Sequence, residues 1–333
     1  MMYGCAPSTP KANPMTRALT NPAAARAVGV FSTFGALVAL IVWFTVDPAS
    51  AQDASEPIGL SVVAALILGI VEGITEYLPI SSTGHLLVTE ELLDLGGTPE
   101  ADLALDTYAI CIQAGAIAAV LVLYRSRVGQ MINGIRGRND EGRQLVVAIL
   151  AAFVPTVIIA LALGDIVRDA LFGPGPIAAA WIVGGVAILA IPRRFSDRLR
   201  NGELSDLTVV HAVWIGVAQA VALLPGVSRS LVTIAAALAL GLGLKAAVEF
   251  SFLLGLITLS AATAFEAMSN GGNLVDTFGL LTPAIGLVMA FLSAVVAVRW
   301  MVTWLEERSF AVFGWYRIAV GAALVVLMAV GTV

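Results

Sequence analysis

The chain has 333 residues, of which 59% are hydrophobic and only 12% charged, and its mean hydropathy is +0.94; these values lie far outside the range of soluble globular domains and imply a polytopic, all-α membrane protein. The formal net charge of −5 comes with no long basic surface, so nucleic-acid binding has no electrostatic basis. Cys5 and Cys111 are too few and too far apart for a disulfide framework or a thiolate metal site.

Residues 1–57 stand apart as an N-terminal extension: Lys11, Arg17 and Arg26 precede an apolar stretch from Val28 to Val46 and then the polar run DPASAQDASEP. The arrangement resembles a signal peptide, with Ala49-Ser50-Ala51 as a small-x-small cleavage site, and it also fits an uncleaved extra transmembrane helix. Both readings put residues 47–57 outside the cytoplasm.

Residues 58–333 read as the membrane domain. An apolar region at 58–95 is interrupted at Pro79, and another at 209–243 is interrupted at Pro225-Gly226. Proline removes a backbone donor and breaks a helix, so both regions are expected to be re-entrant helix-break-helix hairpins. Six other apolar runs, at 104–124, 144–164, 175–191, 247–268, 280–302 and 311–331, approach the length of about 20 residues that crosses a bilayer. The 125–143 loop holds Arg125, Arg127, Arg136, Arg138 and Arg143, and the 192–208 loop holds Arg193, Arg194, Arg198 and Arg200, which marks both as cytoplasmic. The loops near 165–174 and 269–282, with Arg168 as their sole arginine, then lie outside, and the two hairpins enter from opposite faces.

Three spans follow each hairpin, and an odd number turns the second half upside down relative to the first. The domain is therefore expected to be an inverted repeat of 58–191 and 209–331. Gly69, Glu72, Pro79 and Ser81-Ser82 are echoed by Gly216, Gln219, Pro225 and Ser228. Broken helices at matching places in inverted halves point to a binding site at mid-membrane, because irregular backbone is tolerated there only where it lines a cavity.

Glu72 and Glu76 lie one turn apart just before the first break. A carboxylate at bilayer depth costs about 2.5–3.5 kcal/mol, so this pair needs a compensating cation, hydrogen bonds or water. The breaks read PISSTGH (79–85) and PGVSRS (225–230), with Thr233 one turn further on. Serine is a favoured N-cap and helix-start amides attract anions, so two such termini facing one another would cradle a phosphate. Arg229 adds a fork of donors suited to phosphate and is the only cation expected at the centre of the membrane. A divalent cation, Mg²⁺ or Ca²⁺, held by Glu72 and Glu76 would reconcile the carboxylates with an anionic ligand; general-base activation of water is the other role these residues allow. His85, three residues beyond Ser82, would reach the same pocket as proton donor to a leaving phosphate or as base toward Ser82. Gln113 and Glu249 either serve the pocket or bridge helices, and Trp300, Trp304 and Trp315 read as an interfacial belt. Gly184-Gly185 and Gly241-x-Gly243 permit close helix packing, compatible with a homodimer.

Together EGITE (72–76), LPISSTGH (78–85), PGVSRSLVT (225–233) and EFSFLL (249–254) give the chain a resemblance to the undecaprenyl-diphosphate phosphatase family linked with bacitracin resistance, over roughly residues 58–331. The resemblance implies a multi-pass enzyme of the bacterial inner membrane that removes the terminal phosphate from a C55 polyprenyl diphosphate and so recycles the lipid carrier for cell-wall synthesis. It also implies a divalent-metal requirement and places Glu72, Glu76, Ser82, His85 and Arg229 at the family's catalytic positions, with Ser81, Thr83, Gln113, Ser228, Ser230 and Thr233 as further matches. Ala109 stands where the family usually carries an acidic residue, and the N-terminal extension is not part of the usual pattern. The rival reading is a secondary transporter or polyprenyl-phosphate flippase, since inverted repeats with broken helices also serve alternating access.

Overall fold

The computed structural model describes residues 60–190 and 202–331. The signal-peptide reading of 1–57 and the arginines at 193, 194, 198 and 200 fall outside these residues. Within them the chain is entirely helical: α1 (Val62–Thr75), α2 (Ser82–Leu92), α3 (Pro99–Leu123), α4 (Arg125–Ile135), α5 (Asp140–Leu171), α6 (Pro174–Ala190), α7 (Val209–Gln219), α8 (Arg229–Ala239), α9 (Leu244–Phe278), α10 (Leu281–Glu307) and α11 (Ala311–Ala329). Helix is the expected outcome for such a sequence, because in an apolar medium the backbone must satisfy its own amides and carbonyls.

Five of the described helices, α3, α5, α9, α10 and α11, are long and apolar enough to cross a membrane, which makes this a multi-pass membrane protein. The sixth expected span is α6, of 17 residues, about 26 Å at 1.5 Å per residue. Two expected outer loops are shorter than the sequence implies: α5 continues to Leu171 and α9 to Phe278. At 35 residues, α9 is about 52 Å long against a hydrocarbon layer of about 30 Å, so its last turns carry polar residues clear of the apolar zone. The arginine-rich segment after Tyr124 likewise contains a helix, α4.

Both interrupted regions are broken where proline demands it. α1 ends at Thr75 and α2 starts at Ser82, with Pro79 between them; α7 ends at Gln219, passes through a 3₁₀ turn at Ala220–Leu223, and α8 starts at Arg229. At the second break Gly226 has φ +79°, and a Cβ there would come within 2.9 Å of the Ile177 backbone in α6, so glycine is required on both counts.

The helices before the breaks pack reciprocally. α1 makes its main contact with α10, the second long helix after the second break, while α7 packs on α5, the second helix to cross after the first. Small residues allow both approaches: a Cβ on Gly69 would sit 2.4 Å from the Gly286 carbonyl oxygen, and one on Gly216 would sit 2.0 Å from that of Ala152. α3 packs on α9 and α6 on α11, the latter through Gly185 against Gly314. Gly184 and Gly185 thus face α11 of the same chain.

Candidate active site

Glu72 and Glu76 occupy the last turn and the C-cap of α1, so both carboxylates are carried toward the first break, where they are buried. Glu76 is shared by the two halves. One carboxylate oxygen accepts a 3.0 Å ion-paired hydrogen bond from Arg229 Nη2, at the start of α8; the other accepts a short hydrogen bond from the Ser82 hydroxyl, at the start of α2. Glu72, with 0% exposure, lies beside Glu76 and Gln113, yet neither of its oxygens reaches a partner at hydrogen-bonding geometry. Buried polar groups are ordinarily hydrogen-bonded, so this carboxylate stands out.

Three contacts seat Arg229. Nη1 donates to the Ser251 carbonyl at 3.1 Å, Nη2 holds Glu76, and the guanidinium lies over the Tyr77 ring, 5.2 Å from its centroid. Tyr77 in turn packs edge-on against Phe252 at 5.1 Å. Gly255, one turn beyond Ser251, forms the floor under the guanidinium: a Cβ there would come to 2.0 Å from Nη1.

The serines are divided between two tasks. Ser228 caps α8, accepting from Leu231 N at 3.3 Å, and Ser230 donates to the Leu78 carbonyl at 2.9 Å, which Ser228 also approaches at 3.4 Å. Ser228 and Ser230 therefore latch the second break onto the backbone of the first. The reason is local: outside the helices the Leu78 carbonyl receives the Ile80 amide at 2.8 Å and has room for further donors. Ser81 does not cap α2; it has φ +74° and its side chain makes no cap bond, a conformation costing about 1–3 kcal/mol for a non-glycine residue. Thr233 bonds back to the Arg229 carbonyl at 2.9 Å and to the Ser251 hydroxyl at 2.6 Å, tying α8 to α9.

Three other expected site residues stand apart from the Glu76–Arg229 pair. Thr83 is exposed. Gln113 Oε1 accepts from Thr263 at 3.4 Å, which bridges α3 and α9 beside Glu72. His85 Nδ1 donates to the Ser81 carbonyl at 2.6 Å, and Nε2 lies 2.8 Å from the Tyr316 hydroxyl, with the ring against Trp181 and Tyr316. Both ring nitrogens are thus engaged away from Ser82, and the expected His85–Ser82 contact is not made. Glu249 bridges helices, pairing with Arg127 of α4 at 2.5 Å.

The sequence reading missed Arg317. It is 1% exposed and donates to the Gly226 carbonyl at 3.0 Å and the Pro79 carbonyl at 3.4 Å, so Arg229 is not the only arginine at the breaks. The signal was present, since an ionisable residue inside the apolar run 311–331 marks a functional position by the same rule that singles out Glu72. Gly255 carried no such signal; only its neighbour in space explains it.

Comparison with known proteins identifies the family. The family model described as bacitracin resistance protein BacA matches residues 65–323, a span that includes both breaks, Glu72, Glu76, Arg229 and Arg317. The chain belongs to the BacA family. Similar proteins include undecaprenyl-diphosphatase 2 of Rhodospirillum rubrum, 45% identical over 266 residues that make up 80% of this chain and 93% of the relative. The undecaprenyl-diphosphatases of Methylibium petroleiphilum and Nitrobacter winogradskyi are 43% and 38% identical, covering 82% and 81% of this chain and 96% and 98% of their own lengths.

For this BacA-family chain the floor under Arg229 gives a direct test. Gly255→Ala forces the guanidinium off Glu76 and is expected to lower turnover about tenfold or more, since small misplacements of a positioning group cost that much. Alanine costs α9 no helix propensity, so any fall in thermal midpoint reports the disturbed Glu76–Arg229 pair; wild-type kinetics would show that Arg229 needs no such seat.

Proposed function

We propose that the protein hydrolyses undecaprenyl diphosphate to undecaprenyl phosphate and inorganic phosphate in the bacterial inner membrane, returning the lipid carrier to cell-wall synthesis. The observation that carries this reading is the single carboxylate, Glu76, held at once by Arg229 from the second break and by Ser82 from the first. BacA-family membership and relatives named undecaprenyl-diphosphatase supply the substrate class.

In this mechanism Arg229, whose Nε has no partner, grips the terminal phosphate. Glu76 accepts the proton of the attacking hydroxyl, from water or from Ser82. A P–O bond forms at the terminal phosphorus, the P–O bond to the bridging oxygen breaks, and its electrons leave on the lipid monophosphate; with Ser82 as the attacking group, water then hydrolyses the phosphoseryl ester, releasing inorganic phosphate and returning a proton to the Ser82 oxygen. Phosphoryl transfer depends mainly on positioning and charge stabilisation, which suits a site with few polar groups. His85 acts from behind, fixing the Ser81 turn that presents Ser82. Ser81, Thr83, Gln113, Ser228, Ser230 and Thr233 shape or border the substrate pocket.

Glu72 and Glu76 fit a divalent cation, because the unpartnered oxygens of Glu72 offer ligands that no protein donor takes. No group of three or more candidate ligands occurs among the described residues, so two carboxylates would hold an ion whose other ligands are phosphate oxygens and water, the habit of Mg²⁺, with Ca²⁺ the alternative. Such an ion supplies charge neutralisation at the phosphates.

The architecture that goes with this reading is an inverted repeat, 58–191 and 209–331, of two re-entrant hairpins and six transmembrane helices after an N-terminal extension of residues 1–57. The reciprocal packing of α1 on α10 and α7 on α5 supports it. The deciding experiment is phosphate release from undecaprenyl diphosphate by the detergent-solubilised full chain, with and without EDTA. Release should fall by about tenfold or more on chelation and return with Mg²⁺ or Ca²⁺. Binding of polyprenyl phosphate with no phosphate released under any condition would overturn the reading in favour of a carrier.

A further inference from the structure

Arg317 projects from α11 to the meeting point of the two breaks. Its Nη2 donates to the Ala180 carbonyl of α6 at 2.8 Å and to the Gly226 carbonyl at 3.0 Å, and its Nη1 donates to the Pro79 carbonyl at 3.4 Å. Two of these acceptors belong to the breaks themselves, where the helical hydrogen-bond ladder has been given up. The bonds formed by the guanidinium are thus all to carbonyls, and Arg317 takes part in no carboxylate pair within salt-bridge distance among the described residues.

Burying a guanidinium without a counter-charge is expensive, and a well-packed apolar side chain in its place usually serves stability as well or better. An apolar side chain, however, would take the donor from the Pro79 and Gly226 carbonyls, which lie outside any helix. A lysine would bring one compact ammonium in place of a planar fork that reaches three segments at once.

The neighbouring helix is shaped for this head group. A Cβ on Gly184 would lie 2.5 Å from Nη2 and 2.9 Å from Cζ and Nε of Arg317. Gly185, next in the chain, faces Gly314 and Ile318 instead, and so packs α6 on α11 without touching the guanidinium.

We propose that Arg317 is a positioning residue for the phosphatase reaction, fixing the separation of the two breaks so that Glu76 and Ser82 from one meet Arg229 from the other, and that Gly184 is glycine to admit it. This rests on the proposed function above. Apart from Arg317, hydrogen bonds join the breaks through Ser228 and Ser230 to Leu78 and through the Glu76–Arg229 pair, beside the Arg229 contact with the Tyr77 ring, and that pair is the one the substrate must displace. Arg317 then holds the frame while Arg229 turns to the phosphate.

The test uses the solubilised full chain and three variants, Arg317→Ala, Gly184→Ala and the packing control Gly185→Ala. Arg317→Ala should lower kcat about thirtyfold or more with KM within about threefold, the pattern of lost orientation, and guanidinium chloride at about 20 mM should restore at least threefold of it where equal NaCl does not. Gly184→Ala should lower kcat about tenfold, whereas Gly185→Ala lowers thermal stability and leaves kcat near wild type. Amide exchange at 77–81 and 225–229 should accelerate in Arg317→Ala whether or not the substrate has been identified. Inactive wild-type protein would therefore overturn the phosphatase reading, while unchanged exchange would overturn the positioning role. A folded Arg317→Ala protein with kcat within about twofold of wild type also overturns that role. If Arg317→Ala does not fold, equal kcat in Gly184→Ala and Gly185→Ala overturns it.

Discussion

Arg229→Ala is expected to lower phosphate release from a polyprenyl diphosphate by about a hundredfold or more, the range for removing a preorganised charge aimed at a developing anion. The side chain is committed to this site: it is 12% exposed, its partner Glu76 is 5% exposed, and its remaining contacts are the Ser251 carbonyl, the Tyr77 ring and the Gly255 backbone. Removing it also leaves Glu76 buried with no cation, a change that costs about 3–5 kcal/mol where a buried pair is broken. A lower thermal midpoint should therefore accompany the loss of activity. Arg229→Lys separates the two effects, because an ammonium keeps the charge but cannot serve Ser251, Glu76 and a phosphate together; it should recover stability more than turnover. Near-normal turnover in both variants, measured by phosphate release in detergent, would remove Arg229 from the mechanism.

Glu76→Gln carries the second large effect. The amide keeps the shape of the carboxylate and can still accept from Ser82, but it cannot pair ionically with Arg229, take up a proton from the attacking hydroxyl or hold a cation. Turnover should fall about a hundredfold with the fold intact, since general-base assistance alone contributes 10²–10⁴. Because Glu76 and Arg229 act through one contact, the double variant Glu76→Gln/Arg229→Ala should be little worse than the poorer single one; strictly multiplied losses would mean the two act separately. Rapid acid quench distinguishes the attacking group. A phosphoseryl peptide at Ser82 would identify that hydroxyl as the nucleophile, and full activity of Ser82→Ala would assign the attack to water.

The membrane class, the two broken helices and the cast of charged residues are legible in the amino-acid order because each rests on local chemistry: apolar runs of spanning length, prolines that cannot continue a helix, and carboxylates that apolar surroundings penalise. Helix ends were less legible. α5 and α9 outrun the apolar segments that announce them, since a helix already begun continues through polar residues at little cost. The partners of the site residues were beyond reach for another reason. Ser230 meets Leu78 across 152 positions, His85 meets Tyr316 across 231 and Arg317 meets Pro79 across 238. A hydroxyl, an imidazole or a guanidinium in a uniformly apolar helix shows no preferred face until its neighbours are in place. That charge would be needed near the breaks follows from composition and spacing; which carbonyl receives each donor, and that Arg317 reaches the backbone of both breaks, follows only from the packing of α6, α9 and α11 around them, because buried polar groups take the partner that tertiary contact supplies.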